Sequence, residues 1–237
     1  FNNVSWDQSI RKIHSEEIEN LQNSNYLRRL IFDEIISNFL ISSEIRKKIK
    51  KIKKKEKIFD PNICQKYLKK FKFILTNDQI KAIKEINNDL KSKQRMFRLL
   101  QGDVGSGKTI IALIAALNVI KSGFQVALMV PTEILAKQHY NFASDLFGKD
   151  ISIELLTGKT EYKQKKSTLE NIKQNKIKLI IGTHALFQKK VDYKNLGLII
   201  IDEQHKFGVR QRKELSDKGG NNCDVLVMSA TPIPRTM

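Results

Sequence analysis

Two cysteines, four prolines and one tryptophan in 237 residues are few, and each shortage excludes something. Cys64 and Cys223 lie far apart and in no metal-ligand spacing. Neither a disulfide scaffold nor a zinc site is expected, and the chain reads as cytoplasmic, from a reducing compartment. His14, His139, His184 and His205 show no ligand pattern either. Four prolines and 11 glycines exclude collagen-like and linker-like chains. No apolar run approaches the roughly 18–20 residues of a membrane helix, and the opening FNNVSWDQSI is not a secretory signal. No membrane partner is expected. The chain does not begin with Met and reads as a piece of something longer. Acids are also scarce, 25 against 43 basic residues, a net charge of +18.

What is present describes a folded protein. Hydrophobic residues make up 41% and charged residues 29%, and the length suits one large domain or one domain plus an appendage. The positive charge is uneven. Arg46 to Lys72 holds 13 basic residues and two acids, so +11 of the +18 lies there. Such a cluster is the footprint of a polyanion partner or a solvated linker helix, and composition leaves both open. A lysine-, isoleucine- and asparagine-rich chain also fits AT-rich coding.

The pattern changes near residue 70. Before it, Trp6, Ile10 and Ile13 recur at helical spacing, and Ser24 is a plausible N-cap for a longer helix. Ile31, Ile35, Phe39, Ser42, Ile45, Ile49 and Ile52 form one apolar stripe along it, and it should end before Asp60-Pro61. Residues 1–70 are therefore expected to be a helical, basic linker region. After it, short apolar runs alternate with amphipathic stretches. Strands are predicted at Phe97–Gln101, Gln125–Val130, Ile151–Leu156, Leu179–Gly182, Leu198–Asp202 and Val225–Ser229. A helix is predicted over Thr109–Lys121, with Ile110, Ile114, Leu117 and Ile120 on one face. The expectation is an α/β domain over 71–237 with a doubly wound parallel sheet.

Gly102-Asp103-Val104-Gly105-Ser106-Gly107-Lys108-Thr109 matches G-x-x-x-x-G-K-[ST] between a predicted strand and a predicted helix. Glycines let backbone N–H groups converge on phosphate oxygens, and the helix adds its positive end. Lys108 would neutralise β/γ-phosphate charge, and Thr109 would offer a hydroxyl to Mg²⁺. Downstream, Leu198–Ile201 is an apolar run ending in Asp202-Glu203. It reads as a buried strand delivering carboxylates to the sheet edge where ligands bind. Asp202 would serve Mg²⁺, and Glu203 would polarise an attacking water.

At this point the chain resembles the superfamily 2 helicases. Asp202-Glu203-Gln204-His205 is similar to their motif II and Ser229-Ala230-Thr231 to motif III. Pro131-Thr132-Glu133-Ile134-Leu135-Ala136 is similar to motif Ia, and Gly182-Thr183-His184-Ala185-Leu186 to motif Ic. Phe73-Ile74-Leu75-Thr76-Asn77-Asp78-Gln79 resembles the Q motif. Within the superfamily, GDVGSGKT, PTEILA, GTHALFQ, IIDEQHKFGVRQR and SATPIPRT together resemble the DNA helicases that remodel branched DNA and stalled replication forks. The alternative is the translocase motor of transcription-coupled repair, which usually carries Glu at the position of Gln204 and a bulky residue at that of Ser106. Lys206 departs from the family, which usually has Arg there and so a bidentate contact.

The resemblance implies a RecA-like P-loop NTPase domain preceded by a helical linker that joins it to a fork-splitting wedge. It implies ATP and Mg²⁺ as cofactors, with Gln79 on adenine and the loop from Gly102 to Thr109 on the phosphates. Asp202 and Glu203 would act on metal and water, while Gln204 and His205 couple the nucleotide site to Ser229 and Thr231. Pro131, Thr132, Glu133, Gly158, Thr183 and His184 would lie along the DNA backbone. Thr132 and Glu133 also suit a helix cap, and His184 a loop histidine, so those assignments stay open. A non-catalytic nucleic-acid-binding module built on the basic helix is the competing class. The family's wedge and its second RecA-like domain, with the arginine finger, are expected to lie outside this stretch of sequence. Such fingers contribute on the order of 10³–10⁵ in rate, so this piece alone is expected to bind Mg·ATP weakly and hydrolyse it poorly.

Overall fold

The computed structural model describes residues 4–15, 24–51, 53–60, 62–69, 74–188, 190–203 and 218–230. Two compact units divide the chain, Phe1–Lys50 and Lys51–Met237. In the first, helix α1 (Trp6–Ile13) opens with a capping box. Ser5 Oγ accepts from Gln8 N–H at 3.2 Å, and Gln8 Oε1 accepts from Ser5 N–H at 3.2 Å. Helix α2 (Asn25–Lys51) is capped as the sequence suggested, with Ser24 Oγ accepting from Tyr26 and Leu27 N–H.

Helix α2 ends well before Asp60-Pro61 because the chain after it is drawn into the second unit. Lys53 bridges Gln94 in antiparallel fashion, and Lys54 N–H donates to Lys93 O at 2.9 Å. Lys54 and Lys57 then bury their ammonium groups against the Asp224 carboxylate. Two members of the basic cluster are thus internal. Helix α3 (Ile63–Leu68) follows and adds Cys64 and Tyr67 to the core.

The second unit is a six-stranded, wholly parallel sheet. Its strands are β1 (Phe97–Gln101), β2 (Gln125–Met129), β3 (Ile153–Leu156), β4 (Leu179–Gly182), β5 (Leu196–Ile201) and β6 (Asp224–Ser229), in the spatial order β1-β6-β5-β2-β4-β3. Alternation along each strand builds two cores. Val126, Leu128, Leu198, Ile200, Leu226 and Met228 face one way, into a layer with α4 (Asn77–Lys91), α5 (Lys108–Lys121) and α6 (Glu133–Phe147). Ala127, Met129, Ile199, Ile201, Val225 and Val227 face the other, against Ile172 of α7 (Tyr162–Lys173) and Ala185, Leu186, Val191 and Tyr193. The strands read as unbroken apolar runs because both faces are covered.

Helix α5 differs from its expected one-faced pattern. Every residue from Ile110 to Ile120 is buried, since α5 lies between the sheet and an outer layer made by α3 and α4. A helix apolar all round belongs inside a structure of this kind. Among the described residues, no helix is long and apolar enough to cross a membrane.

Candidate nucleotide and nucleic-acid site

All six strands run in one direction, so the loops that follow them gather at one edge of the sheet. The strand order sorts them into two groups. β1, β6 and β5 are neighbours and lead into the phosphate-loop sequence, Ser229 and Asp202-Glu203. β2, β4 and β3 are neighbours and lead into Pro131–Glu133, Thr183-His184 and Gly158.

In the first group the chain leaves β1, turns through Gly102–Gly107 and enters α5 at Lys108. Gly107 has φ +83°, which L side chains rarely adopt, and a Cβ there would meet Gln79 Nε2. Lys108 Nζ donates to Gly102 O at 2.5 Å and to Asp103 O at 2.7 Å, so the ammonium lies over the loop. Gly102 N–H donates to Ser229 O at 3.3 Å, which ties the loop to the end of β6. Gln79 closes the other side. Its Nε2 donates to Ser106 O at 2.9 Å, while its Oε1 accepts from Thr76 N–H at 3.0 Å as part of the α4 capping box.

Asp202 continues β5 by donating its N–H to Met129 O at 2.9 Å. Its Oδ1 accepts from Glu203 N–H at 3.0 Å, and its Oδ2 lies 3.0 Å from His139 Nε2 on α6. Glu203 has φ +50°, in the left-handed region, a strained choice for a long side chain and one that concentrates at functional sites. A cleft of about 420 Å³ joins loop residues 104, 105 and 107–109, Asp202 and Glu203, and the Leu135, Gln138, His139 and Phe142 face of α6. Those four positions recur at helical spacing. Gln138, His139 and Phe142 are participants that motif reading did not single out, and the His139–Asp202 pair spans 63 positions.

Mg²⁺ prefers oxygen donors and usually takes one or two carboxylates plus substrate phosphates. The Thr109 hydroxyl and the Asp202 carboxylate border the same cleft and fit that donor set. Among the described residues, no group of three His, Cys, Asp or Glu could hold a metal unaided.

In the second group, Thr132 caps α6, its Oγ1 accepting from Leu135 N–H at 3.3 Å. Glu133 pairs with Lys159 at 3.4 Å, and its Oε1 is 3.7 Å from where a Cβ on Gly158 would lie. Val130 N–H donates to Gly182 O at 3.0 Å. A Cβ on Gly182 would fall on Leu156 O, so only glycine lets β3 and β4 approach this closely. Glu133 and Gly158 thus lie side by side, and backbone contacts hold their loops to the end of β4. Thr183 and His184 differ in exposure. His184 is exposed, whereas Thr183 is buried and its Oγ1 has no hydrogen-bond partner. Gln204, His205, Lys206 and Thr231 lie outside the described residues.

The DEAD/DEAH box helicase signature matches residues 76–237, the stretch that carries both groups of loops. The chain belongs to the DEAD/DEAH box helicase family. It is similar to the ATP-dependent DNA helicase RecG of Aquifex aeolicus, 51% identical over 90% of this chain and 27% of that protein. It is similar to the RecG of Borreliella burgdorferi, 44% identical over 98% of this chain and 34% of that protein. Among solved structures, RecG bound to a three-way DNA junction superposes with a TM-score of 0.76 at 43% identity, covering 89% of this chain and 28% of the other. The chain therefore spans about a quarter to a third of the length of these relatives. The parallel sheet with its phosphate loop is a helicase RecA-like domain, and this family binds nucleotide with Mg²⁺.

Proposed function

We propose that the chain is the nucleotide-binding motor domain of an ATP-dependent DNA helicase of RecG type, acting on branched DNA and stalled forks in recombination and repair. Residues 71–237 form the motor in this reading. Residues 1–70 lead into it, their last part packed on its core. The observation that carries the proposal is the division of one sheet edge into a nucleotide group after β1, β6 and β5 and a second group after β2, β4 and β3. Relatives at 51% and 44% identity that are named RecG support it, and no observation favours the transcription-coupled repair alternative.

The chemistry follows from the residues. Backbone amides of Gly102–Thr109 cradle the phosphates at the start of α5. Lys108 leaves the carbonyls of Gly102 and Asp103 for the β- and γ-phosphates. Thr109 and Asp202 would hold Mg²⁺, which would supply Lewis-acid neutralisation of phosphate charge. Glu203 accepts a hydrogen bond from a water aligned on the γ-phosphorus. As the water oxygen bonds to that phosphorus, the bond from phosphorus to the β–γ bridging oxygen breaks, ADP leaves with that electron pair, and the water's proton passes through Glu203 to the released phosphate. Gln79 reads adenine. Pro131, Thr132, Glu133, Gly158 and His184 face the DNA backbone, with Thr183 beneath them. Ser229 transmits the state of the phosphate loop through its bond to Gly102.

The deciding experiment is nucleotide binding with and without Mg²⁺, measured beside Lys108→Ala. Wild type is expected to bind ATP, more tightly with Mg²⁺, and Lys108→Ala to lose binding while keeping DNA affinity. A variant that binds nucleotide like wild type overturns the phosphate-loop reading.

A further inference from the structure

The bond between His139 and Asp202 joins the two halves of the sheet edge. Asp202 follows β5 in the nucleotide group. His139 lies on α6, which starts at the Thr132-Glu133 loop of the other group. Nε2 and Oδ2 are 3.0 Å apart, and the two side chains are only 9% and 13% exposed. An ionised carboxylate only accepts, so the Nε2 nitrogen carries the hydrogen and donates, which a neutral imidazole does as one of its tautomers.

Asp202 Oδ1 is meanwhile engaged by Glu203 N–H at 3.0 Å. Each oxygen of the carboxylate therefore has its own protein partner, and each retains a lone pair for a cation. The backbone doubles the link. Asp202 N–H bonds Met129 O at the end of β2, three residues before the α6 cap.

From this geometry we propose that His139 is a positioning residue. Through it α6 holds the Asp202 carboxylate in its metal-binding orientation and ties that carboxylate to the nucleic-acid loop at the start of the same helix. The proposal rests on the reading of Asp202 as the metal carboxylate and of the Thr132-Glu133 loop as a DNA contact. Partners that orient a metal ligand commonly contribute 10–100-fold in metal affinity.

The test is a Mg²⁺ titration of fluorescent ATP-analogue binding by the full chain, with and without a forked DNA duplex. Wild type, His139→Ala, His139→Gln and Asp202→Asn are compared, and urea unfolding is run beside each. His139→Ala is expected to raise the Mg²⁺ midpoint about tenfold or more, a larger change than in Mg²⁺-free nucleotide binding. His139→Gln, whose amide can donate, is expected to recover part of that loss. Forked DNA is expected to lower the midpoint in wild type and to do so much less in His139→Ala. A wild-type midpoint in His139→Ala beside a raised one in Asp202→Asn overturns the positioning role alone. A wild-type midpoint in Asp202→Asn overturns the metal reading beneath it. Equal loss of Mg²⁺-free binding in both His139 variants assigns the residue to folding and overturns the proposal. No DNA shift in wild type, or an equal one in both, overturns the link to the nucleic-acid loop.

Discussion

Lys57 Nζ lies 2.7 Å from Asp224 Oδ2, with both side chains fully buried. Lys54 Nζ reaches the same oxygen at 2.7 Å, so one carboxylate serves two ammonium groups away from water. The excess positive charge is met by neutral oxygens and a ring. Lys57 donates to Asn222 O at 2.6 Å and stands 5.1 Å from the centre of the Phe124 ring. Lys54 donates to Asp89 O at 2.8 Å and to Leu90 O at 3.2 Å. Asp224 Oδ1 accepts from Met96 N–H at 2.7 Å. The arrangement fastens the 53–57 segment to the amino end of β6.

Removing the shared carboxylate leaves two buried cations unpaired, so Asp224→Asn is expected to destabilise the α/β unit by about 3–5 kcal/mol. Lys54→Met is expected to do far less, since Asp224 keeps Lys57. The two differ in pH dependence as well. Burial is the largest influence on Lys54 and pushes its ammonium below the ordinary value of 10.5, against the opposing pull of Asp224. The folded chain then releases this proton at a lower pH than the unfolded chain. Stability should rise with pH from the lowered value up to 10.5 and fall back as pH drops through the lowered value. Lys54→Met should remove that rise. Urea unfolding between neutral pH and about pH 10 measures both effects.

This triad marks what a linear reading misses. Lys54 and Lys57 stand in a run of surface-like charge, and nothing local distinguishes them from exposed Lys53 and Lys55. Their partner is some 170 positions away. His139 escapes for the same reason. What was legible was local. β1 and β4 occur where their apolar runs begin and end, and the phosphate loop lies between its predicted strand and helix. Asp202 and Glu203 follow β5 as a buried strand ending in acids implies. Helix α5 was legible as a helix but not as a buried one. Its stripe of Ile110, Ile114, Leu117 and Ile120 hid the fact that Leu113 and Ala116 are equally enclosed by the outer layer.

Gln79 spends both ends of its amide within the protein, on Ser106 O and Thr76 N–H. Reading adenine requires it to exchange at least one of these bonds, so base recognition and release of the phosphate loop would be linked. Gln79→Ala is expected to weaken ATP binding about tenfold, to bring ATP and GTP affinities close together, and to lower stability by about 1 kcal/mol through loss of the α4 capping box. Competition binding with the two nucleotides and urea unfolding check the three effects. Retained ATP preference would remove Gln79 from adenine recognition and leave it a helix cap.

The remaining basic cluster is best tested through lysines outside the Asp224 pair. Lys53 and Lys55 are exposed, and Lys50 and Lys51 immediately precede them. If this stretch follows duplex phosphates, each contact contributes about 0.9 to the slope of log affinity against log salt. Replacing Lys50, Lys51, Lys53 and Lys55 with Gln should flatten that slope for duplex DNA, weakening binding at low salt more than at high salt. Lys54 must stay in place, because its loss would act through Asp224 and confound folding with binding. A slope unchanged in the fourfold variant would assign these four lysines to solvation of the segment, leaving Lys54 and Lys57 as the members of the cluster with a structural task.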